Sequence, residues 1–167
     1  MTNHVNSLVY LGLGANLNAP LEQLRNATQA LASHPSITLV ASSSLYGSKP
    51  MGPQDQPDYV NSVVAIDTAL SPLELLDITQ QIELDFGRVR KADRWGPRTL
   101  DIDIILFKNQ QLDNERLTVP HYGMKVREFV LYPMHEIAPD LALPCGTDLA
   151  DLIKTIDKNG LSIIAAS

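Results

Sequence analysis

RVRKADRWGPRTLDIDIILF, residues 88–107, holds the turn and strand on which the reading of this chain depends. The chain has 19 acidic and 13 basic residues, for a net charge of −6. Even so, five of its cations (Arg88, Arg90, Lys91, Arg94 and Arg98) fall within residues 88–98. After them, Thr99–Phe107 reads as a strand, in which side chains alternate faces with period two. Leu100, Ile102, Ile104 and Leu106 then form one apolar face. Asp101 and Asp103 share the other, about 7 Å apart at Cα. Two carboxylates that close at a strand's loop end repel each other unless a cation lies between them. Mg²⁺ suits them, because it takes one or two carboxylates together with substrate phosphates. Taken alone, an Asp-x-Asp equally suits salt bridges to nearby arginines, and a charge run equally suits a solvated turn. Trp95, the only tryptophan, sits inside the basic loop. There it fits a loop closing over a ligand better than a solvated one.

Outward from that strand, the pattern is β-α-β-β-α-β. Leu8–Leu13 reads as a buried strand ended by Gly14-Ala15-Asn16, with Gly12-x-Gly14 as a tight strand exit. Pro20 opens a helix with Leu21, Leu24, Ala27 and Leu31 at helical spacing. Ile37–Tyr46 and Tyr59–Thr68 read as strands. Residues 47–57 carry two glycines and three prolines, which excludes regular structure. Ser71-Pro72-Leu73-Glu74 is a capping box that starts a helix running to Phe86, where Gly87 stops it. A proline-interrupted region containing Pro120, Pro133, Pro139 and Pro144 leads to a short helix near Asp148–Ile156. The order predicts an α+β, ferredoxin-like α/β sandwich. Its sheet is mainly antiparallel, and its helices cover one face.

The 167 residues suffice for one domain with its own core. A net charge of −6 argues against a general nucleic-acid or membrane-surface binder, so any bound anion must meet a local basic patch. The single cysteine, Cys145, excludes an internal disulfide and a cysteine zinc site. Val9–Leu17 is interrupted by glycines and lacks a basic lead-in, and no run reaches the ~18 apolar residues of a membrane span. These features predict a cytoplasmic protein. No P-loop is present.

Three ordered motifs carry more. Gly52-Pro53-Gln54-Asp55-Gln56-Pro57-Asp58-Tyr59-x-Asn61, Gly87-Arg88-x-Arg90 and Arg94-Trp95-Gly96-Pro97-Arg98-Thr99-Leu100-Asp101-Ile102-Asp103 together resemble the 6-hydroxymethyl-7,8-dihydropterin pyrophosphokinases of folate synthesis. Gly14-Ala15-Asn16-Leu17 begins the resemblance, and Leu117-Thr118-Val119-Pro120-His121-Tyr122 continues it. Ala15 stands where many members have serine, and Lys49 where they often have proline.

The resemblance implies an enzyme that transfers the diphosphate of ATP to a pterin hydroxymethyl group and releases AMP; the chain is expected to be a monomer, though its sequence leaves the oligomeric state open. Its partners would be these small molecules, without nucleic acid or membrane. It implies two Mg²⁺ held by Asp101 and Asp103, with Arg88 and Arg98 nearest the transferred group. Gln80, Glu83, Arg90, Arg94, Trp95, Arg98, Ile104, Arg116, Thr118, His121, Tyr122 and Arg127 would bind ATP, and Trp95, folding in with its loop, would also meet the pterin. For the pterin, Tyr59 and Phe129 would sandwich the ring and Asn61 would hydrogen-bond its amide edge, helped by Ser48, Pro50 and Met51. Loops 47–57 and 87–98 would form a lid. Read without the resemblance, Tyr59 and Phe129 suit core aromatics, and His121 suits a ring satisfied by the backbone.

Two rival classes remain open from sequence. One is an RNA-binding ferredoxin-like module, which calls for a basic domain and more sheet-face aromatics than Tyr59. The other is a different Mg²⁺-dependent Asp-x-Asp phosphotransfer enzyme.

Overall fold

A computed structural model of the chain describes residues 7–16, 19–48, 59–86, 100–121 and 123–166. Its elements in chain order are β1 (Val9–Ala15), α1 (Pro20–Ser33), β2 (Thr38–Ser42), β3 (Leu45–Ser48), β4 (Tyr59–Asp67), α2 (Pro72–Asp85), β5 (Asp101–Phe107), β6 (Leu112–Asp113), β7 (Thr118–Val119), α3 (Glu128–Ile137), α4 (Leu149–Ile153) and β8 (Ser162–Ala165). The main sheet runs β5-β1-β4-β3-β8, with β2 also on β4, and every pairing is antiparallel. This is the α+β, ferredoxin-like arrangement expected from the β-α-β-β-α-β pattern.

Helices α1 and α2 form where the sequence signals them. Pro20 starts α1, whose Leu24, Ala27 and Leu31 are fully buried. On α2, the Ser71 hydroxyl accepts from the Glu74 amide (3.2 Å), and the Glu74 carboxylate accepts from the Ser71 amide (2.9 Å). Such a reciprocal cap satisfies two otherwise orphaned donors.

Several expectations need correction. The predicted strand 37–46 is split in two at Ser43-Ser44. The Ser43 hydroxyl accepts from the Val63 amide (3.0 Å) and donates to the Ser44 carbonyl (2.8 Å). Serine side chains that bond the backbone in this way compete with a continuous ladder. The proline-interrupted region contains α3, with Pro133 inside it. The helix persists because Val130, Leu131, Pro133 and Met134 are buried against the sheet. Its packing puts helices on both faces rather than one. Leu11, Leu24, Leu31, Val64 and Leu75 belong to the core under α1 and α2. Tyr10, Val63, Leu131, Met134 and Leu149 belong to the core under α3 and α4. At ~1.5–3 kcal/mol for each fully buried large side chain, both cores hold the sheet.

The alternation of β5 also breaks. Leu11 pairs with Ile104 but Tyr10 pairs with Leu106, so Ile105 is an extra residue in the ladder. Leu100, Ile102 and Ile104 lie in the first core as expected, whereas Leu106 lies in the second with Ile105. Gly12 and Gly14 are not a strand exit but lie within β1. Gly47 and Ser48 belong to β3. The remainder of loop 47–57, and all of loop 87–98, lie outside the described residues.

Candidate active site

Strand β1 sends Leu11, Leu13 and Ala15 into the first core, so Gly12 and Gly14 face the other side, toward α3. Gly14 pairs with Asn61 on β4 and with Asp101 on β5, while Gly12 pairs with Asp103. On the second face the glycines thus form a floor without side chains of its own, Gly14 between Asn61 and Asp101 and Gly12 beside Asp103, which the Asn61 amide and the Ile105 side chain approach closely. A Cβ at Gly14 would lie 3.0 Å from Asn61 Oδ1, and one at Gly12 would lie 3.2 Å from Ile105 Cδ1. Glycine within a strand marks such close approaches. Asn61 is 6% exposed, whereas the Asp103 side chain is 52% exposed at the open end.

The other side of β5 forms a second compartment. Gln80 and Glu83, three apart on α2, line a cleft of about 310 Å³ with Asp103, Ile104, Arg116, Thr118 and His121. Glu83 is 6% exposed, and its Oε2 accepts from the Ile102 amide at 2.7 Å. That bond fixes the backbone between the two aspartates from the sheet's edge. The far wall is the β6–β7 turn, where Asn114 Oδ1 accepts from the amides of Arg116 and Leu117 (3.0 Å each). Arg116 Nη2 donates to Asp77 Oδ1 (2.6 Å) and to Gln80 Oε1 (3.4 Å), tying that wall to α2.

His121 stands where the cleft meets the acidic pair, its Nε2 4.0 Å from Asp103 Oδ2. Its backbone amide donates to the Ile105 carbonyl (2.8 Å), and its Nδ1 accepts from the Gly123 amide (3.1 Å). Burial holds the imidazole below its ordinary pKa. Asp103 opposes that shift and the Arg127 charge adds to it. The ring is therefore neutral at pH 7, with its proton on Nε2 facing the carboxylate. Arg127 in turn lies over the Phe129 ring, 5.8 Å from the centroid, at the start of α3.

A model of the 7,8-dihydro-6-hydroxymethylpterin-pyrophosphokinase family matches residues 10–139. The chain belongs to this family. It is 56% identical over 145 residues to the 2-amino-4-hydroxy-6-hydroxymethyldihydropteridine pyrophosphokinase of Haemophilus influenzae, covering 87% of this chain and 90% of that one. To the Pseudomonas aeruginosa protein of the same name it is 54% identical over 153 residues, covering 92% and 94%. Among solved structures, Plasmodium falciparum HPPK-DHPS with pteroate superposes with a TM-score of 0.71 at 13% identity, which bears on the fold alone. That match covers 89% of this chain but only 42% of the other.

Of the residues that the resemblance to the pyrophosphokinase family implicated, the structure brings Gln80, Glu83, Ile104, Arg116, Thr118 and His121 into one cleft with Asp103. It puts Asn61 and Asp101 on either side of Gly14. Tyr59 begins β4 opposite Ser48, and Phe129 lies in the first turn of α3. Pro50, Met51, Arg88, Arg90, Arg94, Trp95, Arg98 and Tyr122 lie outside the described residues. The sequence reading missed Asp77 and Asn114, which brace the cleft, and the role of the glycine pair as a floor. Only the glycines had a signal in sequence, their spacing of two on a strand.

Proposed function

We propose that the chain carries out its family's reaction at this junction, moving the diphosphate of ATP to the hydroxymethyl group of 6-hydroxymethyl-7,8-dihydropterin. ATP occupies the cleft beside α2 and β5, and the pterin lies over the glycine floor with its amide edge on Asn61. The observation carrying this reading is Asp103, which lines the cleft while its neighbour Asp101 borders the floor. Both substrates would thus reach the same pair of carboxylates.

The donor set fits magnesium. Among the described residues no group of three or more His, Cys, Asp or Glu could hold a metal ion. Two carboxylates open to substrate phosphates are what Mg²⁺ takes, in contrast to a closed protein cage. Asp101 and Asp103 would hold two ions. Bound there, they would neutralise the triphosphate and lower the pKa of the attacking hydroxyl.

The protein's own contribution is alignment and charge. Asn61, an amide with both donor and acceptor, would orient the pterin edge between Tyr59 and Phe129, with the roles of Ser48, Pro50, Met51 and Trp95 in the pocket resting on the family resemblance. The pterin hydroxyl oxygen attacks the β-phosphorus and its proton is released to solvent, the bond to the oxygen bridging the α-phosphate breaks, and AMP leaves with that oxygen. Neutral His121 donates from Nε2 to a phosphate oxygen. By the family resemblance, Tyr122, Arg90, Arg94 and Arg127 would hold the remaining phosphate charge, and Arg88 and Arg98 would serve the transferred group. Glu83 keeps the Ile102 amide, and so both aspartates, in place.

Incubation with ATP, Mg²⁺ and the hydroxymethyl-dihydropterin tests the reading. AMP should form in step with the pterin diphosphate ester. ADP as the nucleotide product, or AMP formed equally without pterin, would exclude it.

A further inference from the structure

We infer that Glu136 is a positioning residue for the pterin site, setting the Asn61 amide through the ring of Tyr46. The inference rests on the reading of Asn61 as the group that meets the pterin edge.

Glu136 lies at the surface on the last turn of α3, yet its carboxylate gathers four contacts from the β2–β3 corner. Both oxygens accept from the Ser44 amide (3.1 Å each), Oε2 accepts from the Ser44 hydroxyl (2.8 Å), and Oε1 accepts from the Tyr46 phenol (2.5 Å). These bonds span 90 or more residues of sequence, so they fasten α3 to β3. Burial pushes the Tyr46 phenol well above its ordinary pKa, and the Glu136 carboxylate adds to the shift. The phenol therefore remains a donor throughout the physiological range.

Tyr46 is 7% exposed and is the direct partner of Asn61 across β3 and β4. Direct partners have Cβ atoms ~5 Å apart on the same face. On its other side Asn61 faces Gly14, where Oδ1 lies 3.0 Å from the position of a Cβ. The amide thus leans over the glycine floor with the Tyr46 ring behind it. Phe129 lies seven residues before Glu136, about two turns along one stripe of α3. One carboxylate consequently fixes the spacing between the helix that carries Phe129 and the strands that carry Tyr46 and Asn61. Losing it would loosen the pterin pocket while leaving the nucleotide cleft, on the far side of β5, unaltered.

Steady-state kinetics of Tyr46→Phe, Glu136→Ala and Glu136→Gln provide the test. Tyr46→Phe removes one oxygen, so it retains the packing even if Glu136→Ala proves unable to fold. Tyr46→Phe and Glu136→Ala should raise the KM for pterin about tenfold, with the KM for MgATP within about twofold of wild type. Glu136→Gln keeps a carbonyl acceptor for the phenol and should stay within about threefold of wild type. An unchanged pterin KM in Tyr46→Phe, or equal rises in both KM values, overturns the inference and leaves the pyrophosphokinase reading standing. A wild-type protein that releases no AMP overturns both.

Discussion

Asn61 and Asp101 stand on opposite sides of Gly14, each its register partner on a neighbouring strand. Two strand spacings, about 10 Å, separate the strands that carry the polar reader and the acidic pair, and the residue between them, Gly14, has no side chain. Under the proposed function, that span is where a flat fused heterocycle would lie with its reactive substituent toward the carboxylates.

Filling the gap is the simplest perturbation. In Gly14→Ala, the new methyl 3.0 Å from Asn61 Oδ1 must displace the amide by a few tenths of an ångström. Pterin affinity should fall about tenfold while MgATP affinity changes little, as misplacing a positioning group predicts. Calorimetric titration with each ligand checks this. Equal losses would mean that the floor serves the whole site.

The elements legible in the sequence are those fixed by local spacing. Asp101 and Asp103 interrupt an apolar run at period two, Gln80 and Glu83 share a helix face, and Ser71 and Glu74 cap their own helix. The bulge at Ile105 was illegible because Ile104, Ile105 and Leu106 are all apolar and suit either core. Helix α3 was hidden by Pro133, a helix breaker by propensity that burial against the sheet overrides. The contacts of Arg116 with Asp77 and of Tyr46 with Glu136 depend on tertiary packing between segments 39 and 90 residues apart. No pattern within one element announces such pairs.

Ser62 offers a test of packing away from the site. Its hydroxyl is buried and has no hydrogen-bond partner among the described residues, beside a cavity of about 300 Å³ that Leu39 and Leu45 help to line under α1. Ser62→Ala should therefore raise stability by about 1 kcal/mol, the desolvation cost of an unsatisfied hydroxyl. Urea unfolding measures it. A comparable loss of stability would mean that the hydroxyl is satisfied.

Cys145 should be unusually reactive for an exposed thiol. The Thr147 hydroxyl and amide, and the Lys125 ammonium 3.4 Å away, lower its pKa to about 7. The rate of iodoacetamide alkylation should rise through a midpoint near that pH, below the ~8.5 of a free thiol. Because the Thr147 contacts are the larger cause, Thr147→Val should move the midpoint up more than Lys125→Ala does. An unshifted midpoint in wild type would contradict the assignment.

The acidic pair is the centre of the proposed chemistry, and AMP release by Asp101→Asn and Asp103→Asn, measured beside wild type, tests it most directly. Each substitution keeps the side chain's shape and removes one charge, so circular dichroism should be unchanged. With ATP, Mg²⁺ and hydroxymethyl-dihydropterin, turnover by either variant should fall at least about a thousandfold, or ~4 kcal/mol of transition-state stabilisation. Turnover within about tenfold of wild type in either variant would contradict a role for both carboxylates in holding the metal.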